Sequence, residues 1–213
     1  MKILKHNTFL RFISGVIFFV SSMCLIVTSF EGPVVEKMYQ FPESFIENEV
    51  DPAWQESVTN ALASYQINLR HPEWVWYGES FFIQVSLIER AGLPTSENNA
   101  LPSFVLEAYL EMNNVGTTPG EHILLPIQLP QTGLLQWEVD PQAEEIEQSR
   151  VWLSILPQEG GDSSIPVLVL PLEIKIRPLL GLKLGGWQMI WIGLGVISIG
   201  FYLSDHLKRN RRV

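Results

Sequence analysis

The sequence predicts an all-β domain, an antiparallel β-sandwich, held between two transmembrane α-helices. Two long uncharged runs lie near the ends: 19 residues between Arg11 and Glu31, and 21 between Lys183 and Asp205. Between them the apolar residues recur mostly every second position, the signature of half-buried strands. Charge divides along the same lines. Of 23 acidic residues 22 fall within 31–183, against seven of the 14 basic ones, which leaves the middle at −15 and each tail at +3.

The runs 12–30 and 184–204 would extend ~28 and ~31 Å as helices, close to the ~30 Å hydrocarbon thickness of a bilayer. The first follows a basic tail, residues 1–11. A cleaved signal peptide is the alternative, but its apolar region is usually shorter and ends at small residues. Val27-Thr28-Ser29-Phe30 supplies no such end, so the run reads as an uncleaved signal-anchor. In the second run, Trp187 and Trp191 share a helix face near one end and Tyr202 closes the other, where amphipathic rings favour the membrane–water boundary. A basic tail, 205–213, follows. Positive tails place both termini in the cytoplasm and the acidic domain across the membrane, a two-pass cell-membrane topology. Tails this short are not expected to form a cytoplasmic domain, and two helices without charges form no ion path by themselves. Small residues at Gly193, Gly195, Ser198 and Gly200 give the second helix a surface that packs closely, either on a partner helix or on the first span.

Between the spans, residues 31–64 read as a stalk. Pro33, Pro42 and Pro52 punctuate it, 43–51 is acidic, and Trp54, Val58 and Leu62 repeat every four residues along one short amphipathic helix expected to dock on the sandwich or the membrane surface. Residues 65–183 carry the strands: 65–70, 74–77, 81–88, 104–111, 122–129, 134–139, 151–157 and 166–177. Turn signals separate them at 91–94, 113–116, 118–120, 131–133 and 159–162. Short strands with regular turns and no intervening helices argue for a sandwich. In general shape this resembles an immunoglobulin-like or fibronectin-like domain. The single cysteine, Cys24, lies in the first span, so no inter-sheet disulfide is available and Trp137 or Trp152 is expected at the centre.

Chemistry is sparse. Only His71 and His122 fall in the domain, without metal-ligand spacing, and no Gly-x-Ser-x-Gly elbow or phosphate-cradling glycine loop occurs. No cofactor is expected. Glu159-Gly-Gly-Asp162 has oxygen donors for calcium but reads better as an exposed turn, so calcium is an unexpected partner. A domain at −15 excludes nucleic acid, which requires clustered Lys and Arg. The candidate binding residues are Trp74, Trp76 and Tyr77, in His71-Pro-Glu-Trp-Val-Trp-Tyr-Gly-Glu79. Alternation puts the two tryptophans on one strand face, where they fill a core, anchor a protein contact or stack on a sugar ring. The absence of domain cysteines and of Asn-x-Ser/Thr sites favours a bacterial or archaeal envelope.

The sequence therefore points to a non-catalytic accessory or assembly subunit. Its partners would be the lipid bilayer and another membrane or envelope protein. A membrane-anchored ligand-binding module, for example for a cell-wall glycan, is the alternative reading. An anchored hydrolase is a third, which would require acids gathered around His71 or His122.

Overall fold

The computed structural model describes residues 2–42, 52–90, 104–127, 133–146, 149–157, 164–178 and 182–210. In chain order the elements begin with α1 (Lys2–Thr28), β1 (Val34–Gln40), α2 (Pro52–Ala63), β2 (Tyr65–Pro72), β3 (Trp74–Trp76), β4 (Phe81–Glu89) and β5 (Phe104–Met112). They continue with β6 (Val115–Thr118), β7 (His122–Ile127), β8 (Gly133–Pro141), β9 (Ser149–Pro157), β10 (Ile165–Pro171), β11 (Lys175–Arg177) and α3 (Leu184–Asn210). The fold is thus mostly antiparallel strand with an apolar C-terminal helix. The acidic stretch 43–51, the turns at 91–94 and 159–162, and strand positions 128–129 lie outside the described residues, as do 131–132. The chain forms two compact units. A helix unit comprises Met1–Glu31, Trp76–Gly78 and Pro178–Val213, and a β unit comprises Gly32–Val75 and Glu79–Arg177.

In the helix unit, α3 contains the one described helix long and apolar enough to cross a membrane, Leu184–Ser204. The apolar part of α1, Phe12–Thr28, is shorter than the uncharged run in the sequence. Its last turn tightens, with Ser29 N donating to Ile26 O and Phe30 N to Val27 O, so Ser29 and Phe30 leave the helix. The two helices pack antiparallel. Ser14 meets Ser198, and further along α1, Ser21 meets the earlier position Gly195, where an added Cβ would lie 3.9 Å from the serine Cβ. Ser14, Ser21 and Thr28 recur every seven residues and are all buried, which makes a small polar seam along the apolar part of the helix.

In the β unit two antiparallel sheets contribute to one core. The larger has the order β1-β2-β4-β8-β6, the smaller β10-β9-β5-β7. Alternation does this directly: Ile67, Leu69, Ile83, Val85, Leu135, Trp137 and Val139 point inward from the first sheet, and Leu106, Ala108, Leu110, Val151, Leu153 and Ile155 from the second. Trp137, fully buried, is the largest side chain at the centre, whereas Trp152 is only half-buried.

Three features depart from the sequence reading and a fourth agrees with it. Residues 34–40, taken as stalk, form β1, paired along its length with β2. As an edge strand it buries neither face fully, so the contrast that marks a strand is missing. Helix α2 falls where expected, and of the two surfaces it was expected to dock on, the sandwich receives it: Val58 and Leu62 pack into the β core. The turn residues around 115–118 enclose a short strand, β6, that pairs with β8. Finally, the segment 166–177 is two strands. At Leu172 the chain leaves β9, Leu172 N donating to Ser149 O at 3.0 Å, and β11 then pairs with β3, Lys175 N donating to Glu73 O at 3.1 Å.

Candidate functional site

On the outward face of the smaller sheet, register places four side chains in one row across all four strands. His122 on β7 is opposite Tyr109 on β5, Tyr109 is opposite Trp152 on β9, and Trp152 is opposite Val169 on β10. Each lies outward because its neighbours along the strand point into the core. Directly opposed side chains on one sheet face come close enough to interact. The His122 and Tyr109 rings stack, with centroids 4.5 Å apart and planes 25° from parallel.

A polar clamp fixes the middle of the row. Glu111, two residues along β5, accepts from Arg150 Nε at 2.6 Å, from Arg150 Nη2 at 2.9 Å and from Trp152 Nε1 at 2.6 Å. The Arg150 guanidinium also lies over the Trp152 ring, 5.1 Å from its centroid. Bonds from Arg150 first, and from Trp152 second, hold the Glu111 carboxyl below its ordinary pKa. Burial, then the nearby Glu121 and Glu111 charges, pushes the Tyr109 hydroxyl up. His122 Nδ1 lies 3.2 Å from Glu107 Oε1. Exposed Leu124 (58%) and Val169 (39%) border the cluster, so rigid aromatic rings with polar margins sit on a partly apolar face. The arrangement can grip a macromolecular surface. It offers no aligned nucleophile and base, and among the described residues no group of three or more His, Cys, Asp or Glu could hold a metal ion.

The candidates from the sequence are dispersed. Val75, between Trp74 and Trp76, is the residue of β3 that reaches the core, and both tryptophans are half-buried. One face of Trp74 is covered by the Arg177 guanidinium, 4.1 Å from the ring centroid. Gly32 lies against the Trp74 backbone so closely that an added Cβ would collide with the carbonyl oxygen, which only glycine avoids. Trp76 and Tyr77 belong to the helix unit, where Trp76 Nε1 donates to Phe30 O at 3.1 Å. Trp187 and Trp191 meet edge to face with centroids 5.6 Å apart, and Tyr202 is exposed near the other end of α3. Of the small residues, Ser198 and Gly195 face α1, while Gly193 and Gly200 have no atom within 4 Å of an added Cβ.

His71 and His122 are not brought together: one is buried on β2 and the other is exposed on β7. His71 Nδ1 donates to Pro72 O at 2.9 Å, and its Nε2 has no partner. Burial is the main cause that lowers its pKa.

Sequence periodicity put Glu107, Tyr109 and Glu111 on a water-facing strand side, but their pairing with Trp152 and Arg150 spans about 40 residues of chain and depends on register. No protein-family model and no curated protein matches this chain.

Proposed function

We propose that this chain is a membrane-anchored, non-catalytic accessory subunit whose acidic β-sandwich binds a partner membrane or envelope protein. In this reading α1 and α3 cross the membrane as an antiparallel pair, both ends lie in the cytoplasm, and the β unit is extracytoplasmic. The basic tails and the uncharged runs support that orientation.

An immunoglobulin-like arrangement is supported by strand order. The orders β2-β4-β8-β6 and β10-β9-β5-β7 correspond to the A-B-E-D and G-F-C-C′ sheets of that fold. One departure stands out: the chain visits the D position before the C′ position.

The observation that carries the proposal is the Tyr109–Trp152–Arg150–Glu111 cluster. Aromatic residues and arginine dominate the energetics of protein interfaces, above all where their rotamers are already fixed. Here the clamp from Glu111 fixes both Arg150 and Trp152 on an open face. The net charge of the domain favours a partner with a basic surface.

The test is affinity purification of the full-length tagged protein in mild detergent, with stoichiometry of bound membrane proteins read by mass spectrometry. Trp152→Ala is expected to lose a stoichiometric partner that Phe82→Ser, on the outer face of the other sheet, retains. A chain that purifies alone in wild-type form overturns the proposal.

A further inference from the structure

We infer that Trp76–Gly78 is a third point of membrane contact, seated in the lipid headgroup layer beside the ends of α1 and α3. The inference rests on the reading that α3 spans a bilayer.

The segment begins as the last residue of β3 and belongs to the helix unit. It is held at both helix ends. The Trp76 indole N–H donates to Phe30 O, just past the end of α1. Leu184 N, an orphan donor of the first turn of α3, donates to Tyr77 O at 2.8 Å. Gly78 adopts φ +81°, and an added Cβ there would lie 2.8 Å from Lys183 Cβ, so the chain turns back against the residue preceding α3.

These bonds fix depth. Leu184 is the first residue of the apolar stretch, so the Tyr77 carbonyl lies where the hydrocarbon begins, about 31 Å along the helix from Ser204. The side chains suit that level. Trp and Tyr present an apolar body and a polar edge, which the headgroup region satisfies together. Trp187 and Trp191 stand within the first two turns of α3, and Lys183 Nζ sits 5.8 Å from the Tyr77 ring, a cation placed for lipid phosphate. Phe30, exposed beside the Trp76 bond, extends the apolar surface. Headgroup phosphate and glycerol are therefore the chemistry this segment meets.

The test uses the full-length chain with Cys24→Ser in nanodiscs of phosphatidylcholine and phosphatidylglycerol. A nitroxide is attached in turn at Tyr77→Cys, Phe82→Cys and Ile192→Cys, and its accessibility to oxygen and to a water-soluble nickel chelate is measured. Expected is a hydrocarbon value at 192, a water value at 82, and at 77 a chelate accessibility several-fold below that at 82. Equal values at 77 and 82 overturn the inference, while a hydrocarbon value at 192 leaves the membrane reading standing. A water value at 192 overturns both. Because a variant at 77 can perturb the turn, the unmodified chain is also photolabelled with a lipid carrying a diazirine in its headgroup. Labelling of the peptide that contains 76–78 supports the inference, and its absence there alongside labelling at 182–191 overturns it.

Discussion

Ser14 on α1 and Ser198 on α3 bond reciprocally, each hydroxyl donating to the other's backbone carbonyl, with the two oxygens of the hydroxyls 2.9 Å apart. Small residues allow this approach, and interhelical bonds in an apolar medium contribute on average ~0.6 and at most ~1.7 kcal/mol. Ser198→Ala is expected to cost within that range. Ser198→Leu, which forces the backbones apart, should cost clearly more. Thermal unfolding of the helix unit, followed by circular dichroism in detergent, checks the order.

The burial of Trp137 makes a second prediction. Trp137→Ala removes the largest side chain of the core and should destabilise the β unit by about 3–5 kcal/mol. The indole Nε1 has no hydrogen-bond partner, so Trp137→Phe discards an unsatisfied donor along with part of the ring. Denaturant titration should therefore place Phe much nearer wild type than Ala.

His71 predicts a pH effect with a definite sign. Its folded pKa lies below the ordinary 6.5, chiefly through burial, with Lys37 adding to the lowering and the Pro72 bond and Glu173 opposing it. The unfolded chain then binds more protons in the window just below pH 6.5, so stability is full above that pH and falls as pH drops toward the folded pKa. His71→Leu should flatten this part of the profile. Urea midpoints measured from pH 7.5 to 5 read the difference in slope, which separates it from the contribution of carboxylates such as Glu111.

At Gly78 both conformation and space demand glycine. The left-handed backbone alone costs a side-chain-bearing residue of order 1–3 kcal/mol. The neighbour, Lys183 Cβ, is attached to the backbone and cannot swing away as a flexible tip does. Gly78→Ala is expected to lower the thermal midpoint of the helix unit in detergent by more than Gly185→Ala, where an added Cβ meets nothing within 4 Å.

What the sequence revealed depended on contrast. Strand β5 was legible because Leu106, Ala108 and Leu110 alternate with Glu107, Tyr109 and Glu111, one set buried and the other not. Strand β1 was not, since Val34 and Met38 are exposed on a sheet edge and leave no apolar face to detect. Strand β6 hides among turn residues: Asn114, with φ 60°, precedes it, and Gly120, also with positive φ, follows. The aromatic and polar cluster around Trp152 was half visible. Composition gave the polar face of β5, but only register joins Tyr109 to Trp152, and only side-chain geometry shows Glu111 holding Arg150. For Trp76, periodicity supplied a strand face and concealed the departure of the chain at Gly78, which is a tertiary event.

The sheet margins carry one more consequence. Strand β10 holds Pro166 and Pro171 and a register shift between Pro166 and Leu168, while β7 on the opposite edge holds Pro126. Strand β6 is four residues long, and β1 sets exposed Glu36 at its middle with Pro33 and Pro42 outside its ends. Proline lacks the amide that a ladder needs, and shortness or charge weakens an edge as a template. These features disfavour growth of another polypeptide onto either sheet by main-chain pairing. A partner of the proposed kind would then meet the domain face-on, through side chains, and its specificity would rest on individual residues that can be exchanged one at a time.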